Sequence, residues 1–205
     1  MKVLLVIGSP RSGSNTAIAL EEMKKVFIDE GIETVTLNIG TKDVRGCIAC
    51  GKCREKGGCV FGDVVNEAAE ILAECDGMVV GTPVYYASAN GTVFSFMDRL
   101  FYSYRGELRM KVGAVAAVAR RGGITSTFDR VNKYFTISGM PVASGQYWNG
   151  IHGSAAGEAE QDGEGLQQMR TLARNMAFLM KSIALGKEKY GLPEKERPVR
   201  TNFIR

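Results

Sequence analysis

Four of the five cysteines, Cys47, Cys50, Cys53 and Cys59, fall within the run CIACGKCREKGGC at residues 47–59. A thiolate is a soft metal ligand. Four of them on one compact loop, with glycines at 46, 51, 57 and 58 to let the backbone fold tightly, can hold one metal centre without a distant ligand. In a reducing compartment such crowding reads as metal binding rather than disulfide bonding. Three states are compatible with the spacing. The first three cysteines have ferredoxin-like spacing, which suits a [4Fe–4S] cluster, although no proline follows Cys59 as it does in bacterial ferredoxins. Structural zinc also takes four thiolates, but usually from two separated Cys-x-x-Cys pairs. The third state is a loop of free thiols. Cys75 stands apart and reads as a packed thiol at a helix end.

A second chemical constellation is GSPRSGSNT at residues 8–16. It sits between MKVLLVI, which reads as a buried strand, and AIALEEMKKVFIDEG, whose Ile18, Met23, Val26 and Phe27 recur at helical spacing. A strand-to-helix turn points backbone N–H groups and the positive end of a helix dipole at one spot. Ser9, Ser14, Asn15 and Thr16 add side-chain donors and Arg11 adds charge, a set that suits a phosphate monoester. The plainer alternative is that Ser14 only caps the helix and Gly8 and Gly13 only turn the chain, but a cap needs one hydroxyl and this loop offers four. The run is neither a P-loop nor G-x-G-x-x-G.

Two further loops carry unusual residues. In GTPVYYASANG at 81–91, adjacent aromatics with nearby backbone donors suit a planar heterocycle; ordinary packing of Tyr85 and Tyr86 is the alternative. ARRGG at 119–123 forms a second turn able to hold an anion or a ring carbonyl close to backbone. GQYWN at 145–149 puts the single tryptophan, Trp148, at the end of a strand. His152 is the only histidine, which disfavours catalytic triads and histidine metal sites; it reads as a surface loop residue.

The elements that must position these loops alternate along the chain. Strands are expected at 1–7, 33–39, 77–83, 111–119 and 141–147, and helices at 15–30, from Asp63 as N-cap to Ala73, and at 92–101, 124–137 and 165–185. Residues 149–164 read as a loop. Five strands alternating with helices imply a parallel sheet covered on both faces. In such sheets ligands sit beyond the carboxyl ends of the strands, where strand order reverses. The three unusual loops follow strands one, three and four.

In this order the motifs GSPRSGSNT, CIACGKCREKGGC, TPVYYASANGTVFSFMDRL, ARRGG and SGQYWN resemble the NAD(P)H-dependent FMN reductase and flavodoxin-like family, and within it the iron–sulfur flavoproteins. The resemblance implies a flavodoxin-like, doubly wound α/β fold, a five-stranded parallel sheet of order 2-1-3-4-5 with helices on both faces, and bound FMN. It implies that Ser9, Arg11, Ser14, Asn15 and Thr16 hold the phosphate. Pro83, Val84, Tyr85, Tyr86, Ala87 and Ser88 would line the isoalloxazine ring, and Arg120, Arg121, Gly122 and Gly123 its other side. It also implies that Cys47, Cys50, Cys53 and Cys59 hold a [4Fe–4S] cluster, and that the protein is a homodimer or homotetramer whose neighbouring subunit completes the flavin site. The expected organisation is one FMN-binding domain over 1–186 with a cysteine-rich insertion at 40–62. A tail, 187–205, would make an oligomer contact.

With 45% hydrophobic and 23% charged residues the chain reads as a soluble globular protein, and a net charge of +4 with no basic run gives no footing for nucleic acid. No apolar run reaches the roughly 18 residues of a membrane helix, and the expected location is cytoplasmic. The expected activity is electron transfer between FMN and the cluster, fed by NAD(P)H or a ferredoxin-like donor. No general acid or base is demanded, since the cofactors carry the chemistry. The alternatives are an NAD(P)H-dependent FMN or quinone reductase with no metal, a flavin- or metal-sensing protein that signals to a partner, and a phosphate-binding module with no redox role. The last leaves the Tyr85–Tyr86 loop without a purpose.

Overall fold

β1 (Lys2–Ile7) lies inside the sheet with a strand on either side, and its alternating side chains feed two cores. Val3 and Leu5 point to one face, Leu4 and Val6 to the other, all essentially solvent-free. A strand buried on both sides must be apolar at every position, which is why this run shows no polar alternation. The computed structural model describes residues 1–203; Ile204 and Arg205, the end of the expected tail, lie outside the described residues.

The remaining elements follow in chain order. They are α1 (Asn15–Asp29), β2 (Glu33–Asn38), α2 (Cys53–Lys56), α3 (Val64–Ala73), β3 (Gly77–Tyr85) and β4 (Ser88–Ala89). After them come α4 (Gly91–Ser103), β5 (Val112–Ala119), α5 (Ile124–Ile137), β6 (Gly150–His152), a 3-10 turn at Glu158–Gln161 and α6 (Gly163–Tyr190). The sheet order is β2-β1-β3-β5-β6, with β4 paired only to β3. Taken alone, the five parallel strands run in the flavodoxin-like order 2-1-3-4-5. The short β4, which forms an antiparallel hairpin with the end of β3, is the addition.

The helices cover both faces. α1 and α6 pack on one, through Leu20, Met23 and Phe27 against Leu172, Met176 and Met180. α3, α4 and α5 pack on the other. On α4, Val93, Phe96, Met97 and Leu100 form one buried stripe at the expected helical spacing, and burying each of the larger ones stabilises the fold by roughly 1.5–3 kcal/mol.

Two elements differ from the sequence reading. The fifth parallel strand is Gly150–His152, not 141–147. Residues 141–147 contribute only an isolated bridge between Gly113 and Val142; Asn149, with φ +48, then turns the chain into β6. α6 runs on to Tyr190, past the expected end at 185, because Gly186 does not stop it and Gly191 caps it instead. Beyond the helix, Arg109 donates to the Pro193 carbonyl at 3.1 Å.

Candidate functional site

The turn after β1 is built as a helix N-terminus. Gly8 N–H extends the sheet ladder to the Gly81 carbonyl at 2.8 Å, and the chain then leaves the sheet. Ser14 is the N-cap of α1: its Oγ accepts from Ala17 N–H at 3.1 Å. The first N–H groups of the helix, those of Asn15 and Thr16, have no intrahelical partner and carry the positive end of the dipole. Ser9, Ser14, Asn15 and Thr16 are all buried, whereas Arg11 is exposed. Gly40 packs beneath this turn so closely that a Cβ there would stand 2.1 Å from the Ser9 carbonyl oxygen.

A segment that the sequence reading passed over as a loop closes on the same turn. Asn15 Nδ2 donates to the Ala155 carbonyl at 2.8 Å, Asn15 Oδ1 accepts from Ala159 N–H at 3.1 Å, and Arg11 donates to the Ser154 carbonyl at 3.2 Å. Glu158 folds the segment on itself by accepting from the N–H groups of Ser154 and Ala155. Those bonds hold the Glu158 carboxyl below its ordinary value. The only advance signal was Asn15 itself, a polar residue on the first turn of a buried helix.

The opposite wall is the β3–β4 hairpin. Tyr86 and Ala87 both take positive φ, +50 and +56, as a two-residue primed turn requires. α5 docks against this hairpin. Gly123 caps it at φ +97, where a Cβ would lie 2.8 Å from Ala87 Cα, and Ser126 Oγ donates to the Ala87 carbonyl at 2.6 Å.

Between the two walls lies a cleft of about 180 Å³. It is lined by Ser9, Arg11, Ser14, Asn15 and Thr16 on one side, Pro83, Val84 and Tyr85 on the other, and Val118, Ala119, Arg120 and the Gly153–Ala156 segment behind. Most of the sequence-selected residues are thus brought together. Arg121, Gly122 and Gly123 line a neighbouring cleft of about 490 Å³ instead, with Tyr147, Trp148 and His152. The Tyr147 and Trp148 rings touch there at a tilt of 46°, with centroids 4.4 Å apart. Tyr85 is partly exposed at the cleft, while Tyr86 is fully exposed on the turn. The Ser88 hydroxyl is buried without a partner. His152 is exposed, as expected of a surface residue, with Nδ1 3.4 Å from Asp162.

The cysteine loop packs against α4. Cys53 is buried at the start of α2, Cys59 is half-buried, and Cys47 and Cys50 are exposed. All four line one small cavity of about 20 Å³, together with Phe61, Arg99 and Tyr102. Among the described residues no three His, Cys, Asp or Glu side chains stand close enough to hold a metal ion in common.

The side chain that organises this region is Arg99, 1% exposed. Its guanidinium grips both Asp63 carboxylate oxygens at 2.8 Å and donates to Cys59 Sγ at 3.1 and 3.3 Å. The Arg45 and Arg99 guanidinium groups both lie over the Phe61 ring, 4.8 and 4.7 Å from its centroid. Burial, the largest single influence, would raise the Asp63 carboxyl; the Arg99 hydrogen bonds, the Val65 N–H and the Arg99 charge together outweigh it and hold the group below its ordinary value. Asp63 also caps α3, accepting from Val65 N–H at 3.1 Å as the sequence implied. Arg105 donates to the Cys53 carbonyl at 3.2 Å and to its Sγ at 3.4 Å. Cys75 is a packed thiol at the end of α3, pushed up to about 11 by burial.

The comparisons with known proteins fit this geometry. Residues 1–154 match the family described as NADPH-dependent FMN reductase. The chain belongs to that family. It is therefore a flavin-dependent oxidoreductase, and the family's relatives extend the likeness along the chain. An iron–sulfur flavoprotein of Methanocaldococcus jannaschii is 34% identical over 191 residues, covering 89% of this chain and 99% of its own. One from Methanosarcina thermophila is 31% identical over 194 residues, covering 92% and 100%. Among solved structures, an archaeal flavodoxin superposes with a TM-score of 0.60 at 19% identity, over 88% of this chain and 99% of that one. An NAD(P)H:quinone oxidoreductase from Methanothermobacter marburgensis gives 0.66 at 14%, over 86% and 96%. At these identities the structural likeness speaks for the fold.

Proposed function

We propose that this family member binds FMN in the cleft between the β1–α1 turn and the β3–β4 hairpin, and passes electrons between it and a [4Fe–4S] cluster held by Cys47, Cys50, Cys53 and Cys59. The observation that carries the reading is the cleft itself. A helix N-terminus with Ser9, Arg11, Ser14 and Thr16 faces Pro83, Val84 and Tyr85 across one opening. The first set suits a phosphate and the second an aromatic ring. Asn15 acts one step removed, by holding the 153–159 segment over the turn. Arg120 would meet the ring from behind, and Arg121, Gly122 and Gly123 from the neighbouring cleft. Tyr86 and Ala87 would shape the hairpin tip. The Ser88 hydroxyl is buried with no partner among the described residues and does not belong to the lining of the cleft, so its part would be to shape the hairpin.

Bound FMN supplies chemistry in which one or two electrons are exchanged, and a cluster exchanges one. The protein's part is position, local field and access. The donor set of the cysteine loop fits a cluster: four thiols face one cavity and arginine N–H groups already meet two of the sulfurs. α4 ties the two regions together. Its N-cap Asn90 sits on the turn after β1 and its Arg99 in the cysteine loop, about 14 Å further along the helix. The electron donor in this reading is NAD(P)H, with a ferredoxin-like protein as the other candidate. A homodimer or homotetramer gives the exposed Tyr86 a partner surface. Among the described residues no helix is long and apolar enough to cross a membrane.

One observation favours a second reading, an NAD(P)H-dependent FMN or quinone reductase with a metal-free loop. The cysteines do not converge on a common ion, and their cavity has room for about one water molecule. Anaerobic purification separates the two. A flavin spectrum with broad additional visible absorption and about four irons per chain supports the cluster. Yellow protein without iron, even after reconstitution with iron and sulfide, moves the assignment to the metal-free reductase. Colourless protein that cannot take up FMN defeats both.

A further inference from the structure

Arg99 is an unusual residue for a helix core. It is the largest fully buried side chain of the described residues, yet it carries a charge. One carboxylate, Asp63, neutralises it, and Asp63 is itself partly exposed. The guanidinium also donates two N–H groups to a single sulfur, Cys59 Sγ. The fork geometry of arginine allows both contacts at once, which a lysine ammonium does not reproduce. Arg105 repeats the arrangement more weakly at the Cys53 sulfur from an exposed position. Cys47 and Cys50, on the exposed arm of the loop, have no such donor among the described residues.

We propose that Arg99 is a positioning residue for the metal centre of the cysteine loop, fixing Cys59 as a ligand and setting the centre's reduction potential through its N–H···S bonds, with Arg105 acting in the same sense at Cys53. The inference rests on the cluster reading above. Its physical basis is charge. One electron added to a cluster adds one negative charge, part of which falls on the ligand sulfurs. Donors aimed at those sulfurs stabilise the reduced form more than the oxidised form and raise the potential. The sign follows directly. Removing the donors lowers the potential, and removing the Asp63 carboxylate, which offsets the Arg99 charge, raises it.

The test is an anaerobic redox titration of the cluster in the full-length protein, read by electron paramagnetic resonance, after reconstitution with iron, sulfide and FMN. In Arg99→Gln the ratio of reduced to oxidised cluster at a fixed potential is expected to fall about tenfold, a shift of about 59 mV for a one-electron couple. Arg99→Lys keeps the charge without the fork and is expected to recover part of the shift. Asp63→Asn retains a capping side chain and is expected to shift the potential upward. Arg105→Gln removes an exposed side chain and is expected to give a smaller downward shift, so it decides the question should Arg99→Gln fail to fold. Cluster-loaded Arg99→Gln or Arg105→Gln with an unmoved potential overturns the inference. So does an Asp63→Asn shift of the same sign as Arg99→Gln, which marks general disruption. Wild-type protein that binds FMN but takes up no iron overturns the cluster reading, and this proposal with it.

Discussion

Asn90 joins the Gly8 carbonyl to the first turn of α4: its Nδ2 donates to that oxygen at 2.7 Å while its Oδ1 caps Val93 N–H at 3.0 Å. One buried side chain thus couples the turn after β1 to the helix that carries Arg99. Asn90→Ala removes a helix cap, worth about 1 kcal/mol. It also leaves a buried carbonyl unpaired, worth about 1–3 kcal/mol. The expected loss is about 2–4 kcal/mol in chemical denaturation. FMN affinity is expected to fall as well, since the phosphate turn loses its anchor.

The Asn15 clamp leads to a pH effect. Glu158 bonds two backbone N–H groups of the 153–159 segment, and its folded carboxyl lies below the ordinary value of 4.5. A group shifted this way contributes stability that is present above its ordinary value and is lost as pH falls through the lowered one. FMN affinity is therefore expected to weaken on acidification below pH 4.5. Glu158→Gln is expected to flatten that dependence, and Asn15→Ala to weaken binding at all pH values. Fluorescence titration of FMN across pH measures both.

Much of this was legible in the sequence because it is local. Ser14 and Asp63 cap the helices their positions imply. The α4 stripe follows from helical periodicity, and the central strands from short unbroken apolar runs. The failures are long-range. Arg99 reads as a polar residue on a helix until Asp63, 36 positions away, is seen to neutralise it. The Gly153–Ala156 wall is a bland run of small residues whose role depends on Asn15, about 140 positions earlier. The fifth strand was misplaced because Val142 and its neighbours have more strand-like composition than Gly150–His152. The sheet edge nevertheless pairs the later run, through the bond from Ala117 N–H to the Asn149 carbonyl. The primed turn at Tyr86 and Ala87 leaves the Tyr86 side chain exposed at the hairpin tip, an orientation that the adjacent pair of tyrosines does not announce.

The glycine beneath Ser9 gives a steric test. A methyl group at Gly40 would meet the Ser9 carbonyl and Pro10 nitrogen at 2.1 and 2.7 Å, both rigid backbone. Gly40→Ala must displace the turn. The expected cost is about 1–3 kcal/mol of stability, with a loss of FMN affinity measurable by titration.

Thiol labelling separates the two kinds of cysteine. In metal-free native protein Cys47 and Cys50 are exposed and are expected to react readily with an alkylating reagent at pH 8. Cys75 is buried and its thiol lies near 11, so it is expected to react only on unfolding. Mass spectrometry of the labelled peptides reads the order directly.

The most direct measurement is a comparison of FMN with riboflavin, which lacks the phosphate, in anaerobic titrations of the apoprotein. Charge-assisted hydrogen bonds contribute about 1.5–3 kcal/mol each, and two of them at the β1–α1 turn correspond to about a hundredfold or more in affinity. FMN is expected to bind at least that much more tightly, with most of the difference lost in Arg11→Ala combined with Ser14→Ala. Equal affinity for the two flavins would contradict the assignment of the turn after β1 as the phosphate anchor.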